Sequence, residues 1–148
     1  MSQKAPSYSG LKPASESASR IKQNNRNKDT VHELMLRSVL WRMGLRFRKN
    51  VSSLPGKPDI VFPKSRVVVF CDGDFWHGRN WHSLKNKLEQ GTNPKYWIAK
   101  IQTNIDRDKR TVKTLEKQGW YVIRVWENDI KSDVIGIAES IRDVVKNR

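Results

Sequence analysis

Residues 67–71 read Val-Val-Val-Phe-Cys, a run in which no side chain is charged or strongly polar. A strand with one face in water alternates apolar and polar side chains, whereas a strand that is apolar on both faces needs a cover on each side. Helical and extended patterns alternate around this run, and the chain contains no internal repeat. The sequence therefore predicts an α/β fold with a mixed central sheet flanked by helices.

The first predicted helix has recognisable start and stop signals. Thr30 is a candidate N-cap with Glu33 three residues further on, as in a capping box, and Gly44 ends the apolar periodicity. The remaining predicted elements are two short strands, around 45–47 and at 60–62, a buried strand at 67–71, a helix at about 94–118, a strand at 120–126 and a last helix at 130–145. The turn-rich segment SSLPGKP separates the two short strands.

At 148 residues the chain has the usual length of one compact domain. Residues 1–27 are rich in Ser, Lys, Asn, Arg and Gln and carry few large apolar side chains, so burial cannot offset the entropy of ordering them. We expect a flexible basic arm at residues 1–27 and one folded domain at residues 28–148.

The charge of the chain points to a polyanionic partner. Lys and Arg number 29 against 15 Asp and Glu, which gives a formal net charge of +14. Clustered Lys and Arg gain affinity for phosphates through counterion release, so nucleic acid is favoured over an anionic membrane. The sequence has neither an apolar run of about 20 residues, the length that crosses a bilayer, nor the apolar core of a signal peptide. We therefore expect a cytoplasmic, nucleoid-associated protein.

The chain has little material for a structural zinc site. Its single cysteine, Cys71, excludes a disulfide within the chain, and only three histidines are present. A zinc cluster of Cys71, His77 and His82 is conceivable, but its spacing fits no common ligand pattern. His32 and His82 are interpreted as ordinary structural or surface histidines.

Carboxylates stand at the ends of two strands that are predicted to be neighbours. Asp59 follows Pro58 at the start of the strand at 60–62, and Cys71-Asp72 ends the buried strand after one intervening turn. Mg²⁺ prefers hard oxygen ligands and commonly takes one or two carboxylates, with water and a substrate phosphate completing its shell. These residues are candidates for a magnesium site, against the ordinary interpretation of Asp59 as a turn or cap residue.

Four motifs together resemble a known family. PGKPDIVF, VVVFCDGDFWH, NIDRDKR and GWYVIRVWE occur in the order and spacing of the very-short-patch repair (Vsr) endonucleases, a branch of the PD-(D/E)xK superfamily. The resemblance covers roughly residues 20–130 and implies a three-layer, restriction-endonuclease-like core in the domain at 28–148. It also implies Mg²⁺-dependent nicking of one strand of double-stranded DNA at or near T·G mismatches. The implied product carries a 5′-phosphate, and Mn²⁺ is expected to be able to replace Mg²⁺.

The resemblance also assigns roles to residues of the site. Asp59 corresponds to the family's metal-binding aspartate, and Cys71 to a residue that offers its backbone carbonyl to the metal. His77 corresponds to the histidine that activates water, and Asp108 to the acid that orients it, an arrangement that suits a general base. Glu33 corresponds to a further active-site acid.

The chain departs from the family pattern in two places. Asp72 stands where the relatives have an active-site histidine, and we expect this extra carboxylate to contact the metal or to change how the scissile phosphate is held. The family's structural zinc ligands correspond to Asp74, Arg79, Trp81 and Asn128, side chains that cannot form a four-ligand zinc site. No zinc is therefore expected, and an Asp74–Arg79 salt bridge or packing by Trp81 is expected to replace the cross-link.

DNA-contacting residues are also implied by the resemblance. Phe75, Trp76 and Trp97 correspond to aromatic residues that the family inserts into the DNA stack beside the mismatch. Lys109 and Arg110 are candidates for phosphate contacts. The ordinary interpretations are rings that cap the core and charges on a solvated surface.

Two further functions stay open at this point. A related nuclease of a restriction or defence system would cut without requiring a mismatch. A homologue that lost cleavage would only bind DNA, and the changed residues Cys71 and Asp72 are the features that favour this interpretation. We expect a monomer, with repair or restriction-system proteins as candidate partners.

Overall fold

The structure is a computed structural model of the chain, and it describes residues 29–148. The predicted basic arm at residues 1–27 lies outside the described residues. In chain order the elements are α1 (Val31–Arg42), β1 (Arg48–Lys49), β2 (Ile60–Phe62), β3 (Val67–Asp72), α2 (Trp81–Glu89), α3 (Pro94–Lys117), β4 (Tyr121–Trp126), α4 (Glu127–Ser132) and α5 (Val134–Lys146). The predicted helix at about 94–118 and the predicted strand at 120–126 are confirmed as α3 and β4.

The four strands form one mixed sheet in the order β1-β2-β3-β4. β3 lies between an antiparallel neighbour, β2, and a parallel neighbour, β4, so that Val69 is paired with Ile60 on one side and with Ile123 on the other. Every residue of β3 is buried. The prediction of a mixed sheet with a central strand covered on both faces is confirmed.

Alternate residues of β2 and β3 face two separate cores. On one face the sheet is covered by α1, α4 and α5. The buried residues there are Leu36, Val39, Leu40, Ile60, Phe62, Val67, Val69, Cys71, Ile130, Ala138 and Ile141. On the other face α3 covers the sheet, with Leu115 packed among Val61, Val68 and Phe70. The chain is therefore a three-layer sandwich of helices, sheet and helix, consistent with the restriction-endonuclease-like core.

α1 begins with a cap that differs slightly from the predicted capping box. The Thr30 side chain accepts a hydrogen bond from the Glu33 amide (3.4 Å), as predicted. The Glu33 carboxylate accepts instead from the Asp29 amide (2.9 Å), one residue before the N-cap. Both bonds satisfy backbone donors at the helix start. The helix ends before Gly44, whose φ of +89° suits a residue without a side chain.

Three elements differ from the prediction. The short strand expected around 45–47 is wrong in position, because residues 45–47 pair with no strand and β1 is Arg48–Lys49. The single helix expected at 130–145 is wrong, because α4 and α5 are separated by Asp133, whose φ of −151° and ψ of 66° are not helical. The Asp133 side chain accepts from the Gly136 amide (3.0 Å) and so caps the start of α5. The sequence interpretation also omits α2, although Trp81, Leu84 and Leu88 recur at helical spacing and are half-buried.

The loop at 73–80 is held closely against α3. The buried Asn104 side chain donates from Nδ2 to the Trp76 carbonyl (2.8 Å). Gly78 has a φ of +69°, and a Cβ atom added there would lie 2.5 Å from Ile105 Cδ1. The loop approaches α3 so closely that only glycine fits at this point.

Gly78→Ala is expected to destabilise the protein more than Gly44→Ala. Both substitutions place a side chain at a positive φ, which costs about 1–2 kcal/mol. An added Cβ at Gly44 has no atom within 4 Å, whereas at Gly78 it also meets Ile105 and Ile101. This overpacking adds about 1–3 kcal/mol. Urea unfolding of both variants measures the difference, and equal losses of unfolding free energy would contradict the close approach.

Candidate active site

Asp59 lies at the end of the pairing between β2 and β3. Its amide donates to the Val69 carbonyl (3.1 Å), and its Oδ2 accepts from the Cys71 amide (2.6 Å). Because β2 runs antiparallel to β3, the residue that precedes β2 lies beside the residues that end β3. The structure thus brings Asp59 and the Cys71-Asp72 segment together, as the predicted strand order requires.

Buried negative charge surrounds Asp59. Burial, the charge of Glu33 and the charge of Asp72 together raise the pKa of the Asp59 carboxyl to about 7, against the opposing effect of the Cys71 amide. Glu33 and Asp72 are themselves almost fully buried. A cation bound here would offset negative charge that the surrounding protein leaves in excess.

The donors of this cluster suit a hard divalent cation. The Asp59 carboxylate and the Cys71 backbone carbonyl are oxygen donors, the class that Mg²⁺ takes, usually together with several waters. The Cys71 thiol packs into the core beneath α1, and burial raises its pKa well above the usual value. Among residues 29–148 no three His, Cys, Asp or Glu side chains converge on a common metal position. The alternative zinc cluster of Cys71, His77 and His82 is therefore not assembled.

Glu33 is anchored by contacts at the start of its own helix. Its Oε2 accepts from the Asp29 amide, and Arg37 Nη1 lies 4.0 Å from the same oxygen. Arg37 pairs more closely with the Asp29 carboxylate (2.7 Å), and this hydrogen bond holds the pKa of Asp29 below its usual value. Glu33 therefore has a fixed place, from which its charge acts on Asp59.

His32 is a member of the site that the sequence interpretation misses. Its ring is buried, and Nε2 lies 3.4 Å from the Cys71 carbonyl oxygen and 3.2 Å from Thr30 Oγ1. On the other side of the ring, Nδ1 lies 3.7 Å from a carboxylate oxygen of Glu127. His32 thus touches the carbonyl that is a candidate metal ligand. No periodicity in the sequence signals this contact, because its two residues are 39 positions apart.

His77 lies in contact with Asp108. These residues are the expected general base and the acid that orients it. His77 Nδ1 is 2.6 Å from Asp108 Oδ2. With the Nδ1 proton donated to this carboxylate, Nε2 keeps its lone pair and can accept a proton. Asn104, which holds the loop, lies one turn before Asp108 on the same face of α3. The neighbouring acid Asp106 accepts a hydrogen bond from the Gln102 side chain instead (3.0 Å). Asp108, and not Asp106, is therefore the aspartate that contacts His77.

Asp72 is paired with an arginine that the sequence interpretation does not single out. Arg124 of β4 donates from Nε to Asp72 Oδ2 (2.7 Å) and from Nη2 to Asp72 Oδ1 (2.8 Å). Nη2 also lies 3.4 Å from Asp108 Oδ1, and Asp72 Oδ1 lies 3.7 Å from His77 Nδ1. The only signal in the sequence is one charged residue within the segment Tyr121–Trp126. Its partner depends on the parallel register of β3 and β4, which no local pattern specifies.

Ion pairs occupy the place that the resemblance gives to structural zinc. Arg79 lies 3.5 Å from Asp74 Oδ2 and donates to Asp129 Oδ1 at 3.0 Å. The expected salt bridge between Asp74 and Arg79 is present, and Asp129 is a second partner that the sequence does not indicate. Trp81 donates from Nε1 to the Gln102 side chain (2.9 Å) and so links α2 to α3.

Phe75, Trp76 and Trp97 form one cluster of aromatic rings. The centroid distances are 5.2 Å from Phe75 to Trp76, 5.5 Å from Phe75 to Trp97 and 5.7 Å from Trp76 to Trp97. All three side chains are half-buried. The rings therefore pack on one another and still present part of their surface to solvent, next to the loop residue His77.

The basic residues Lys109 and Arg110 are exposed on α3, directly after Asp108. Because these two side chains are exposed, they can bind an anionic partner without breaking contacts in the protein interior. Within residues 29–148, no helix has the length and apolar character needed to span a membrane.

The chain is similar in sequence to DNA-nicking enzymes. A family model described as DNA mismatch endonuclease Vsr matches residues 12–83. The type II nicking enzyme V.NmeDIP of Neisseria meningitidis serogroup C is 41% identical over 133 residues, which cover 90% of this chain and 88% of that protein. The type II nicking enzyme V.HpaIIP of Haemophilus parainfluenzae is 40% identical over 110 residues, or 74% and 77% of the two chains. The DNA mismatch endonuclease Vsr of Escherichia coli strain K12 is 40% identical over 100 residues, or 68% and 62%.

Asp59→Asn is expected to stabilise the metal-free protein increasingly as the pH rises. Folding raises the pKa of Asp59 from 3.8 to about 7, so the folded state binds this proton more tightly than the unfolded state. The favourable contribution is complete below about pH 4 and is lost as the pH rises to about 7, where the folded carboxyl ionises. The variant has no such proton, and its relative unfolding free energy should grow by up to about 4 kcal/mol over this range.

Urea unfolding in the presence of a chelator, repeated between acidic and neutral pH, measures this gain. Asp106→Asn is the matched control, because Asp106 lies on α3 and bonds Gln102 outside the carboxylate cluster. A stability difference between wild type and Asp59→Asn that does not vary with pH would contradict the burial of an ionisable Asp59.

Proposed function

The chain belongs to the Vsr family of DNA endonucleases, and on this basis we propose that it nicks one strand of double-stranded DNA at or near T·G mismatches. The proposed reaction depends on Mg²⁺, with Mn²⁺ able to replace it, and leaves a 5′-phosphate. The observation that carries the proposal is the pairing of His77 with Asp108 beside the buried cluster of Asp59 and the Cys71 carbonyl. A general base next to an oxygen-lined cation site is what metal-assisted phosphodiester hydrolysis requires.

Asp59 and the Cys71 backbone carbonyl are the groups that would hold Mg²⁺. When bound, the cation would supply positive charge to the scissile phosphate as negative charge develops in the transition state. Glu33 adds negative charge that favours a cation at this place. A carbonyl oxygen has two lone pairs, so the contact with His32 leaves the Cys71 oxygen able to bind a metal.

His77 is the proposed general base. Its Nδ1 proton is donated to Asp108, so Nε2 takes a proton from the attacking water while the water oxygen bonds to phosphorus. The bond between phosphorus and the 3′ oxygen breaks, the 3′ oxygen takes a proton from solvent, and the phosphate stays on the 5′ side. Asp108 keeps the imidazole in one tautomer and offsets the charge of its protonated form.

The aromatic cluster of Phe75, Trp76 and Trp97 is proposed to enter the DNA stack beside the mismatch. Two of its rings directly precede His77, so a distorted base step at this place would lie next to the proposed base. Unstacking costs a few kcal/mol per step and is least costly at a mismatched base. Lys109 and Arg110 are proposed to bind backbone phosphates, which would make DNA binding sensitive to salt.

A nicking enzyme of a restriction system, without a mismatch requirement, is the second candidate. Two relatives that match most of the chain are named type II nicking enzymes, and these names mention no mismatch. The ion pairs of Arg79 also replace the zinc site of the family beside the aromatic loop. A homologue without cleavage activity is not favoured, because the pair of His77 and Asp108 is intact.

A small panel of duplexes separates the two candidates. With Mg²⁺, we expect nicking of one strand of a T·G-containing duplex to be at least about tenfold faster than nicking of matched T·A and C·G duplexes, because a mismatch lowers the unstacking cost. Strand-labelled substrates on denaturing gels measure the rates. A 5′ end that accepts a kinase label only after phosphatase treatment identifies the 5′-phosphate. Equal rates on all duplexes would favour the restriction-type enzyme.

Matched variants test the assigned residues in the same assay. Asp59→Ala and His77→Ala are expected to slow single-turnover nicking by about 100-fold or more, since they remove a metal ligand and the general base. Asp106→Ala and His82→Ala change the same residue types outside the site and should nick at nearly the wild-type rate. Nicking by Asp59→Ala at the wild-type rate would exclude the proposed metal site.

Phe75→Ala and Trp76→Ala are expected to reduce the distortion of bound DNA. With 2-aminopurine beside the mismatch, binding of the wild type in Ca²⁺ should increase the fluorescence, because the probe base is unstacked. Each variant should give a smaller increase at saturating protein. Trp41→Ala is the control, because Trp41 belongs to a separate pair with Phe47. If the fluorescence increase is unchanged in both variants, these rings do not enter the DNA stack and only cap the core.

A further inference from the structure

Arg124 lies among the charged groups of the site. In the parallel register of β3 and β4 it is paired with Phe70, and its guanidinium carbon is 4.3 Å from the centre of the Phe70 ring. From there it binds both oxygens of Asp72, two residues further along β3, at 2.7 and 2.8 Å. A bidentate pair of arginine and carboxylate is a strong and directional contact, and Asp72 is almost fully buried.

One nitrogen of His77 has two carboxylates within reach. His77 Nδ1 is 2.6 Å from Asp108 Oδ2 and 3.7 Å from Asp72 Oδ1. A single N–H group can donate well to only one of them. Without another partner, the Asp72 carboxylate would compete with Asp108 for this proton and would turn the imidazole. Arg124 restrains the competitor, because its guanidinium binds both oxygens of Asp72 and fixes the direction in which they point.

We propose that Arg124 is a positioning residue that holds Asp72 away from His77 and from the cation, and so leaves His77 bonded to Asp108 alone. This inference rests on the proposed function, and it makes Asp72 the anchor of Arg124 instead of a metal ligand. The approach of Arg124 Nη2 to Asp108 Oδ1 (3.4 Å) adds a second hold on the carboxylate that orients His77.

A direct contact between Arg124 and a DNA phosphate does not fit its surroundings. Nε and Nη2 are engaged by carboxylates, and Nη1 is buried without a hydrogen-bond partner among the described residues. Nη1, the nitrogen without a partner, has almost no surface on which a phosphate could bind. A buried donor without a partner lowers stability, and an apolar pair of similar size would be as stable or more stable. The arrangement therefore suits positioning better than folding.

The test compares Arg124→Met, Asp72→Asn and the double variant, each assayed well below its melting temperature. On the duplex that the wild type nicks best, each single variant should be about 100-fold slower in a single turnover, because a displaced base no longer meets its water. In Arg124→Met the freed Asp72 carboxylate displaces His77, and in Asp72→Asn the freed guanidinium draws Asp108 away from His77. The nicking rate of the double variant should recover to within about tenfold of the wild-type rate, since the Asp72 carboxylate and the Arg124 guanidinium are both absent. In all three variants the DNA affinity, measured by fluorescence anisotropy with Ca²⁺, should change by less than about twofold, because neither side chain is proposed to contact a phosphate.

Arg66→Met is the matched control for Arg124→Met. Arg66 stacks on the ring of Trp120 outside the site, with 4.6 Å between the guanidinium carbon and the ring centre. This variant also loses one positive charge and one stacked guanidinium, and it should nick at nearly the wild-type rate.

Two readouts do not depend on cleavage. Proton NMR of metal-free, ¹⁵N-labelled protein should show the hydrogen-bonded Nδ1 proton of His77 as a downfield signal, identified by its absence in His77→Asn. Arg124→Met should shift or remove this signal, and the double variant should restore it. Calorimetric titration with Mn²⁺ should show a much smaller loss of affinity for Asp72→Asn than for Asp59→Asn, because Asp72 acts on the cation site only through its charge.

Each contrary outcome has a separate meaning. Wild-type rates in both single variants would make the pair merely structural. A double variant as slow as Arg124→Met would give Arg124 a direct part in the reaction. Mn²⁺ binding weakened as much by Asp72→Asn as by Asp59→Asn would make Asp72 a metal ligand. Each of these results overturns the inference. Failure of the wild type to nick any duplex would refute the proposed function, while the NMR comparison would still decide whether Arg124 positions His77.

Discussion

The hydrogen bond from the Cys71 amide to the Asp59 carboxylate joins the two strand ends from which the rest of the site is built. Antiparallel pairing of β2 and β3 places Asp59 there, and parallel pairing of β3 and β4 brings Arg124 within reach of Asp72. A slip of one residue in β3 would turn Asp72 into the core beneath α1 and Cys71 out of it. The site is therefore only as well defined as the strand register, which the apolar cores on both faces of the sheet hold in place.

Stability and chemistry are divided between different parts of the sheet. The apolar stretches of β2 and β3 lie between helices, whereas the adjoining strand ends carry buried carboxylates. Arg37 and Arg124 supply counter-charge, and each has a buried Nη1 without a hydrogen-bond partner among residues 29–148. Such incomplete pairing lowers the free energy of unfolding. The raised pKa of Asp59 reflects the same excess of negative charge, and perturbed carboxyl groups of this kind are typical of functional sites.

The sequence specifies the layers of this fold better than the contacts of its site. The apolar run at 67–71 and the helical periodicity at 94–118 predict elements that the structure contains, because each pattern reports burial along a single element. The candidate metal ligands could be placed together, since one short turn joins their strands. The contacts of Arg124 and His32 could not be predicted, because they depend on pairing between elements that are distant in the chain. α2 is missed for another reason, because three half-buried apolar residues, Trp81, Leu84 and Leu88, are a weak signal in a helix of nine residues.

The loop at 73–80 depends for its position on α3 more than on the ion pairs of Arg79. Partly exposed ion pairs such as those of Arg79 contribute about 0–1 kcal/mol each, far less than a structural zinc ion. The buried Asn104 side chain and the close packing of Gly78 on α3 hold the loop without any charge. Asp108 follows Asn104 by one turn, so the helix that fixes the loop also carries the partner of the histidine within it. The position of His77 relative to Asp108 is therefore set by contacts with one helix, α3.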